Sequence, residues 1–144
     1  MSHRTPGFGD EVLLLGLRFE LFVDDVEASV SFYGATLGLV PPENWSPDGY
    51  VPLRAGAVTV GVQSHTKLPA EHHFSASHLA GPRGVGLEIV IEVDDVDRAY
   101  ALASLEAERH GGRVEPLCDR PWNTRDFRLV DPDGYYLRVT SGRG

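Results

Sequence analysis

Hydrophobic and polar positions follow one pattern twice along this chain. The run 17–23 (LRFELFV) is rich in aromatic and branched residues, which favours a β-strand. Asp25 then stands where a helix N-cap belongs, and apolar residues recur at helical spacing as far as Gly38, a typical helix end. In the second half, 87–93 (LEIVIEV) predicts another strand, and Asp95 precedes a second amphipathic helix. Each half therefore begins with a strand, an acidic cap and a helix.

Three further strands are predicted after each helix. They span 38–41, 50–54 and 57–63 in the first half, and 113–117, 124–130 and 135–140 in the second. The last two strands are joined by 131–134 (DPDG), a turn sequence because proline presets φ and glycine supplies a positive φ. The segment 54–57 (RAGA) marks the corresponding turn of the first half. The order βαβββ–βαβββ indicates an internal duplication, and the predicted fold class is α+β with two tandem βαβββ modules.

We expect a single domain over 1–144, with a first module at 17–64, a linker at 65–84 and a second module at 85–140. The linker contains prolines, glycines and four of the six histidines, which are His65, His72, His73 and His78. His72 and His73 are adjacent, so they cannot both face one ion in a regular element, and a solvated polar loop is the simpler interpretation. The apolar run Val12–Leu15 predicts an edge strand or a contact with a neighbouring chain.

The amino-acid composition and net charge indicate which kinds of partner this protein is able to bind. Of 144 residues, 42% are hydrophobic and 24% are charged, as in an average soluble domain. Thirteen basic and 21 acidic residues give a net charge of −8, which argues against nucleic acid and favours cationic partners. No apolar run is long enough to span a bilayer, so we expect a cytoplasmic protein with no membrane role. Cys118 is the single cysteine, and we expect it to be a buried thiol.

Three segments resemble the vicinal oxygen chelate superfamily of glyoxalases, bleomycin-resistance proteins and extradiol dioxygenases. They are FVDDVEASVSFYGATLGL (22–39), EVDDVDRAY (92–100) and PWNTRDFRLVDPDGYYLRV (121–139). The resemblance implies that the two modules form a cup lined by the concave faces of their sheets. It also implies a homodimer, in which some members of the superfamily exchange elements between chains.

The resemblance further implies four strand positions that hold a divalent metal in the metalloenzymes, usually through His, Gln and Glu. In this sequence they correspond to Arg18, Gly61 or Gln63, Glu88 and Arg138. A guanidinium has donors only and repels a cation, so we expect no metal and no other cofactor. The expected alternative is a charge network in which Arg18 and Arg138 flank Glu88. Such a network either neutralises the sheet or contacts a ligand.

Strand phasing and two loop tryptophans complete the candidate site. If Arg138 faces the cup, alternation places Asp126 and Arg128 beside it. Trp45 and Trp122 lie outside any periodic core pattern, where an indole either stacks on a planar ligand or covers the core. The candidate ligand-binding residues are Arg18, Glu20, Trp45, Gln63, Glu88, Trp122, Asp126, Arg128 and Arg138.

These features predict a metal-free small-molecule binding protein of the bleomycin-resistance type. It would sequester an antibiotic or secondary metabolite, cationic or planar aromatic, in the cup or in a groove of the homodimer. The alternatives are a glyoxalase-fold lyase or isomerase, a metal-dependent dioxygenase with atypical ligands, and a purely structural dimer. A carboxylate held between two arginines is a poor general acid, which favours binding over catalysis.

Overall fold

The computed structural model describes residues 12–75, 79 and 81–142 of the chain. The strands are β1 (Phe19–Val23), β2 (Val51–Ala55), β3 (Val58–Ser64), β4 (Ile89–Val93), β5 (Arg113–Val114), β6 (Cys118–Asp119), β7 (Arg125–Val130) and β8 (Tyr136–Ser141). The helices are α1 (Val26–Leu37) and α2 (Val96–Glu106), with 3₁₀ turns at His65–Lys67 and Glu108–His110.

Both helices begin where the sequence predicts, and α1 also ends there, whereas α2 ends at Glu106, before the segment 110–112 that was expected to close it. The side chain of Asp25 accepts a hydrogen bond from the Ala28 N–H at 3.1 Å, and Asp95 accepts one from the Arg98 N–H at 3.0 Å. Gly38 ends α1 in the left-handed region at φ 70°, a conformation that an L-residue adopts at a cost. The predicted caps are therefore confirmed.

Each module forms its own mixed sheet. In the first sheet the order is β1-β3-β2, with β1 parallel to β3 and β2 antiparallel to it. In the second sheet the order is β4-β8-β7, with β4 parallel to β8, and both β5 and β6 pair with the outer side of β7. One face of each sheet packs against the helices, which contact each other. The α+β architecture of two tandem modules is confirmed.

Several strand boundaries differ from the prediction. The run 38–41 contributes only an isolated bridge between Val40 and Arg54, because prolines follow at once. The predicted strand 113–117 is interrupted, since Pro116 has no N–H to donate to β7, and pairing resumes at β6. The run Val12–Leu15 forms no strand and lies exposed. Cys118 is exposed on the edge strand β6, so the expectation of a buried thiol was wrong.

The two modules meet at a seam between β1 and α1 of the first and the β7–β8 turn of the second. The buried Tyr33 hydroxyl donates to Asp131 Oδ2 at 2.7 Å. The Tyr135 hydroxyl accepts from the Phe22 N–H at 3.2 Å and donates to the Phe22 carbonyl at 3.0 Å. Burial raises the pKa of Asp131 to about 6, against the opposing effect of the Tyr33 hydrogen bond. The seam therefore contains a buried acid as well as apolar contacts.

Arg83 of the linker forms hydrogen bonds with both modules at the same seam. Its guanidinium donates to the Phe22 carbonyl at 2.8 Å and to Asp24 Oδ1 at 2.6 Å, and it reaches Asp133 Oδ1 at 3.3 Å. His65 Nε2 also lies 2.8 Å from Asp24 Oδ1. The hydrogen bonds from Arg83 and His65 outweigh burial and lower the pKa of Asp24. The linker thus contributes charge pairing to the contact between modules.

Candidate ligand site on the concave face of the second sheet

Strand register identifies the equivalent positions of the two sheets. Glu20 of β1 pairs with Gly61 of β3, and Val90 of β4 pairs with Arg138 of β8. Glu20 and Val90 stand at the same distance before the two capping aspartates. Gly61 is therefore the first-module counterpart of Arg138, which decides between the two positions, Gly61 and Gln63, left open by the sequence.

In the first sheet, the space above Gly61 is already filled. A Cβ at Gly61 would lie 2.0 Å from Glu20 Oε2 and 2.3 Å from the Tyr50 hydroxyl oxygen. Tyr50 donates to Glu20 Oε1 at 3.1 Å, and Arg18 Nε donates to the same oxygen at 2.7 Å. Burial and the hydrogen bond to Glu20 raise the pKa of Tyr50. The three side chains close the centre of the face that lies away from the helices, which the resemblance implies is the concave face.

In the second sheet, charged side chains occupy the equivalent centre. Arg128 and Arg138 face each other directly across β7 and β8, and Glu88 lies between them. Glu88 Oε2 is 3.3 Å from Arg128 Nε, and Glu88 Oε1 accepts from Arg138 Nε at 3.1 Å. Like charges directly opposite on a sheet repel, and the carboxylate offsets that repulsion. The predicted charge network exists, but Arg128 takes the place expected for Arg18, whose ion-pair partner is Glu20.

Asp126 is the buried carboxylate that pairs with the arginines of this network. Its side chain is fully buried, and its Oδ1 accepts from Arg120 Nε at 2.9 Å, Arg120 Nη2 at 2.8 Å and Arg128 Nη1 at 2.8 Å. Burial alone would raise the pKa of Asp126, but the hydrogen bonds and charges of Arg120 and Arg128 outweigh it and lower that pKa. Oδ2 has no hydrogen bond within the described structure, and Arg138 Nη1 is 4.0 Å away.

Sequence reasoning missed Arg120. It reaches Asp126 because the backbone folds back, with the Arg120 N–H donating to the Thr124 carbonyl at 2.7 Å. Asn123 in this turn has φ 72°, a left-handed conformation that asparagine tolerates better than most residues. Such a contact across a turn leaves no periodic signal in the sequence.

The two tryptophans have different environments. Trp45 is partly buried and packs against the core of the first module, so the structure does not place it as a ligand-stacking ring. Trp122 is 63% exposed and borders a pocket of about 100 Å³ on the concave face of the second sheet. Val90, Glu92 and Arg138 also line that pocket, together with Thr124, whose buried hydroxyl has no hydrogen-bond partner in the described structure.

Glu92 was not among the predicted site residues. The alternation of β4 places it on the face of Glu88 and Val90, and its carboxylate is exposed. Among the residues that the structure describes, none forms an ion pair with Glu92. Gln63 lies half-buried on β3 beside Phe22, in register with it, and the structure does not bring it to the charged centre.

The side chains at the four metal positions of the superfamily do not fit a cation. Arg18 and Arg138 have no lone pair to donate, Gly61 has no side chain, and Glu88 is engaged by two guanidiniums. Over the described ranges, no group of three or more His, Cys, Asp or Glu side chains is close enough to hold a metal ion.

The linker histidines make ring contacts rather than a cluster. The imidazole of His72 lies 5.5 Å from the ring of Phe22, and its Nδ1 accepts from the Phe74 N–H at 3.0 Å. His73 packs edge-to-face on Phe74 at 4.7 Å. His78 lies outside the described residues.

Comparison with protein families places this fold in a known superfamily. The profile of the Glyoxalase/Bleomycin resistance protein/Dioxygenase superfamily matches residues 17–139, and the chain belongs to this superfamily. No curated protein matches the chain significantly.

Solved structures share the fold at low sequence identity. A glyoxalase/bleomycin resistance protein/dioxygenase family enzyme from Burkholderia phytofirmans PsJN is 20% identical, with TM-score 0.67 over 88% of this chain and 98% of that chain. Lactoylglutathione lyase from Agrobacterium tumefaciens is 20% identical, with TM-score 0.64 over 90% and 96%. TioX from Micromonospora sp. ML1 is 21% identical, with TM-score 0.64 over 86% and 96%. At these identities the likeness extends to the fold alone.

The described part of the chain contains no helix that is long and apolar enough to cross a membrane.

Proposed function

We propose that the protein is a metal-free small-molecule binding protein, which holds its ligand on the concave face of the second sheet. The observation that carries this proposal is the replacement of metal-ligating side chains by Arg138 and its ion pairs, beside an exposed Trp122. The charged centre supplies fixed polar contacts, and the indole supplies a flat apolar surface. Both are features of a site that retains a molecule.

The pocket beside Trp122 favours a planar group that carries a positive charge. The indole and the exposed side chain of Val90 offer apolar contact to a ring, and the Glu92 carboxylate lies in the same pocket. A cation that stacks on indole gains both quadrupole attraction and area burial. Arg138 also lines the pocket and accommodates an acidic group, so a zwitterionic ligand is also compatible. The volume of about 100 Å³ makes this a subsite for part of a ligand.

The proposal includes a homodimer. Val12, Leu13, Leu14, Leu15 and Leu17 are between 78% and 93% exposed. A contiguous apolar run of this kind is characteristic of a surface that another chain covers. In this arrangement the ligand lies in the cup or in the groove between two copies. An antibiotic or a secondary metabolite, held in the cytoplasm, is the proposed cargo.

A lyase or isomerase is the second candidate, and the contacts of the site favour it less. Acid–base catalysis needs a carboxyl group that can exchange a proton with a substrate. Glu88 and Asp126 are instead engaged by arginines, and the hydrogen bonds and charges of Arg120 and Arg128 lower the pKa of Asp126.

The test is tryptophan fluorescence quenching by a cationic planar dye such as ethidium, with an anionic naphthalene sulfonate as the comparison. Saturable quenching by the cation is expected. Trp122→Ala, followed by calorimetry because it removes the reporter indole, should weaken binding by about 1–3 kcal/mol. Trp45→Phe is the matched control, because Trp45 packs against the core, and it should leave the affinity unchanged. Glu92→Gln should weaken binding of the cation and leave the anion unaffected.

Two results would contradict the proposal. One is the absence of saturable binding for every cationic or zwitterionic aromatic compound tried. The other is a stoichiometric transition metal in purified protein by elemental analysis, which would reinstate the metalloenzyme.

A further inference from the structure

A second cavity lies at the free edge of β1, apart from the ligand face described above. Its volume is about 350 Å³, within the range of small-molecule sites, which is about 300–1,000 Å³. It lies between β1 and the segment that leads into β4, and no residue that lines it also lines the pocket beside Trp122. Apolar side chains form most of its wall, among them Phe19, Leu21, Phe74, Val85, Leu87 and Tyr135.

One residue of β1, Glu20, has backbone N–H and C=O groups that have no hydrogen-bond partner at this edge in the described structure. Along a strand, the N–H and C=O groups of alternate residues point to opposite edges. The backbone N–H and C=O of Phe22 point away from β3, because they bond to Tyr135 and Arg83. Glu20 belongs to the same alternate set, so its N–H and C=O point the same way. No described residue off the sheet bonds to these two groups.

We propose that this cavity binds an apolar peptide-like ligand, through one amino-acid unit whose C=O and N–H pair with the N–H and C=O of Glu20. Paired backbone hydrogen bonds of this kind attach an extended peptide to the edge of a sheet, and flanking pockets select its side chains. Phe74, Val85 and Leu87 are 39%, 79% and 45% exposed at the cavity and supply apolar contact for those side chains.

The contacts of the seam favour a short ligand over a long added strand. Beyond Glu20, the next edge-facing residue is Phe22, and Tyr135 and Arg83 already satisfy both of its backbone groups. The Asp24 N–H beyond it donates to Asp133 Oδ1 at 2.9 Å. A long strand would have to displace these bonds, whereas a single amino-acid unit at Glu20 displaces none.

The probe is N-acetyl-leucine methylamide, titrated into ¹⁵N-labelled full-length protein while the amide signal of Glu20 is followed by NMR. A saturable downfield shift of that signal is expected. The matched control is the acetoxy analogue, which has the same shape but an oxygen in place of the leucine N–H. It should bind about tenfold more weakly, because the Glu20 carbonyl then faces an acceptor. Equal affinity of the two compounds would overturn the proposal.

Two variants at Glu20 separate the backbone from the side chain. Glu20→Pro removes the N–H in question and leaves the pairing with β3, since that N–H points away from β3. It should abolish binding of the probe, followed through the amide signals of neighbouring cavity residues because proline has none. Glu20→Ala keeps the N–H and should retain binding. Val85→Lys changes only an exposed wall residue and should also weaken binding about tenfold without a change of fold.

Three further outcomes would overturn the inference. They are unchanged binding to Glu20→Pro, loss of binding in Glu20→Ala with the fold intact, and a Glu20 amide already shifted in a concentration-dependent way without probe. The last would mean that residues 12–17 of a second copy occupy the cavity. None of these outcomes depends on ligand binding at Trp122, so the two proposals can fail separately.

Discussion

The concave faces of the two sheets occupy equivalent positions of a duplicated fold, yet their centres are built in different ways. In the first sheet, Gly61 leaves room that Glu20 and Tyr50 fill. In the second sheet, Arg138 stands at the counterpart of Gly61, and Glu88 pairs with it. The centre of the first sheet is closed by Glu20 and Tyr50. The centre of the second sheet is a group of ion pairs beside the exposed indole of Trp122.

The two modules keep equivalent backbone positions, but the side chains at those positions differ in charge and in partners. Arg18 and Glu88 occupy the same place before their capping aspartates, but they have opposite charges and different partners. Arg18 is largely exposed and pairs with Glu20, two residues along the chain, whereas Glu88 bridges two strands. We therefore expect the second sheet to be the more sensitive of the two to loss of a charge.

The largest expected effect is a pH dependence of stability that arises in the second module's last turn, at Asp131. The corresponding turn of the first module, 54–57, has no carboxylate. The folded pKa of Asp131, about 6, exceeds its ordinary value of 3.8, so the folded state holds its proton more tightly. Its contribution to stability is fully present below pH 3.8 and is lost as pH rises through 6. At 1.36 kcal/mol per pKa unit the loss is roughly 3 kcal/mol.

Urea denaturation of wild type and Asp131→Asn, measured between pH 4 and 7, isolates this effect. The asparagine stays neutral, so the free energy of unfolding of the variant minus that of wild type should rise by roughly 2.5 kcal/mol over this range, since the unfolded carboxyl is already more than half ionised at pH 4. Other groups, such as Asp24 with its lowered pKa, act equally on both proteins and cancel. A difference that stays constant with pH would show that the Tyr33–Asp131 contact does not titrate in this range.

The next effect compares the anchoring carboxylates of the two sheets. Asp126→Asn leaves Arg120 and Arg128 facing a neutral amide and should lower the free energy of unfolding by about 2 kcal/mol. That value is below the usual figure for buried pairs, because both arginines are partly exposed. Glu20→Gln should lower it much less, since Arg18 is 62% exposed. Thermal or chemical denaturation measures both, and equal losses would remove the contrast between the sheets.

A smaller effect separates the two tryptophans by stability alone. Trp45→Ala removes an indole that packs against the first module's core and should cost about 1–2 kcal/mol. Trp122→Ala removes an exposed ring and should change stability by less than about 0.5 kcal/mol. Denaturation midpoints measure both changes. A large loss for Trp122→Ala would mean that this ring supports the fold instead of a ligand.

The smallest expected effect tests whether the first centre is closed as described. The Cβ of Gly61→Ala would push aside the far ends of Glu20 and Tyr50, at a cost below about 1 kcal/mol because both side chains can rotate. Separation from Glu20 should lower the pKa of Tyr50, which that carboxylate raises. NMR titration of ring-labelled tyrosine measures it. Gly142→Ala, which meets nothing within 4 Å, is the control.

Sequence reasoning found the architecture because local signals repeat. Asp25 and Asp95 are capping residues with the required spacing, and Gly38 supplies the left-handed helix end. Helix caps and helix ends depend on a few neighbouring residues, so they can be predicted directly from the amino-acid sequence. The break at Pro116 also follows from local chemistry, which the prediction of a continuous strand overlooked.

The site was predicted less well because its contacts are set by register and by turns. The alternation of β7 correctly placed Asp126 and Arg128 beside Arg138. The partner of Glu88 depends on which strands are neighbours in the sheet, and Arg18 belongs to the other sheet. The burial of Trp45 depends on how its loop closes over the core. No spacing along the chain encodes either contact.

The hydrogen bond from Tyr33 to Asp131 has a consequence for the symmetry of the duplication. The helical position equivalent to Tyr33 is Ala103, which has no hydroxyl, and the first turn offers no carboxylate to receive one. The contact is therefore made in one direction only, and a chain made of two copies of either present module would lack the tyrosine or the carboxylate that it needs. A chain engineered from two copies of the first module would have to find another way to join them.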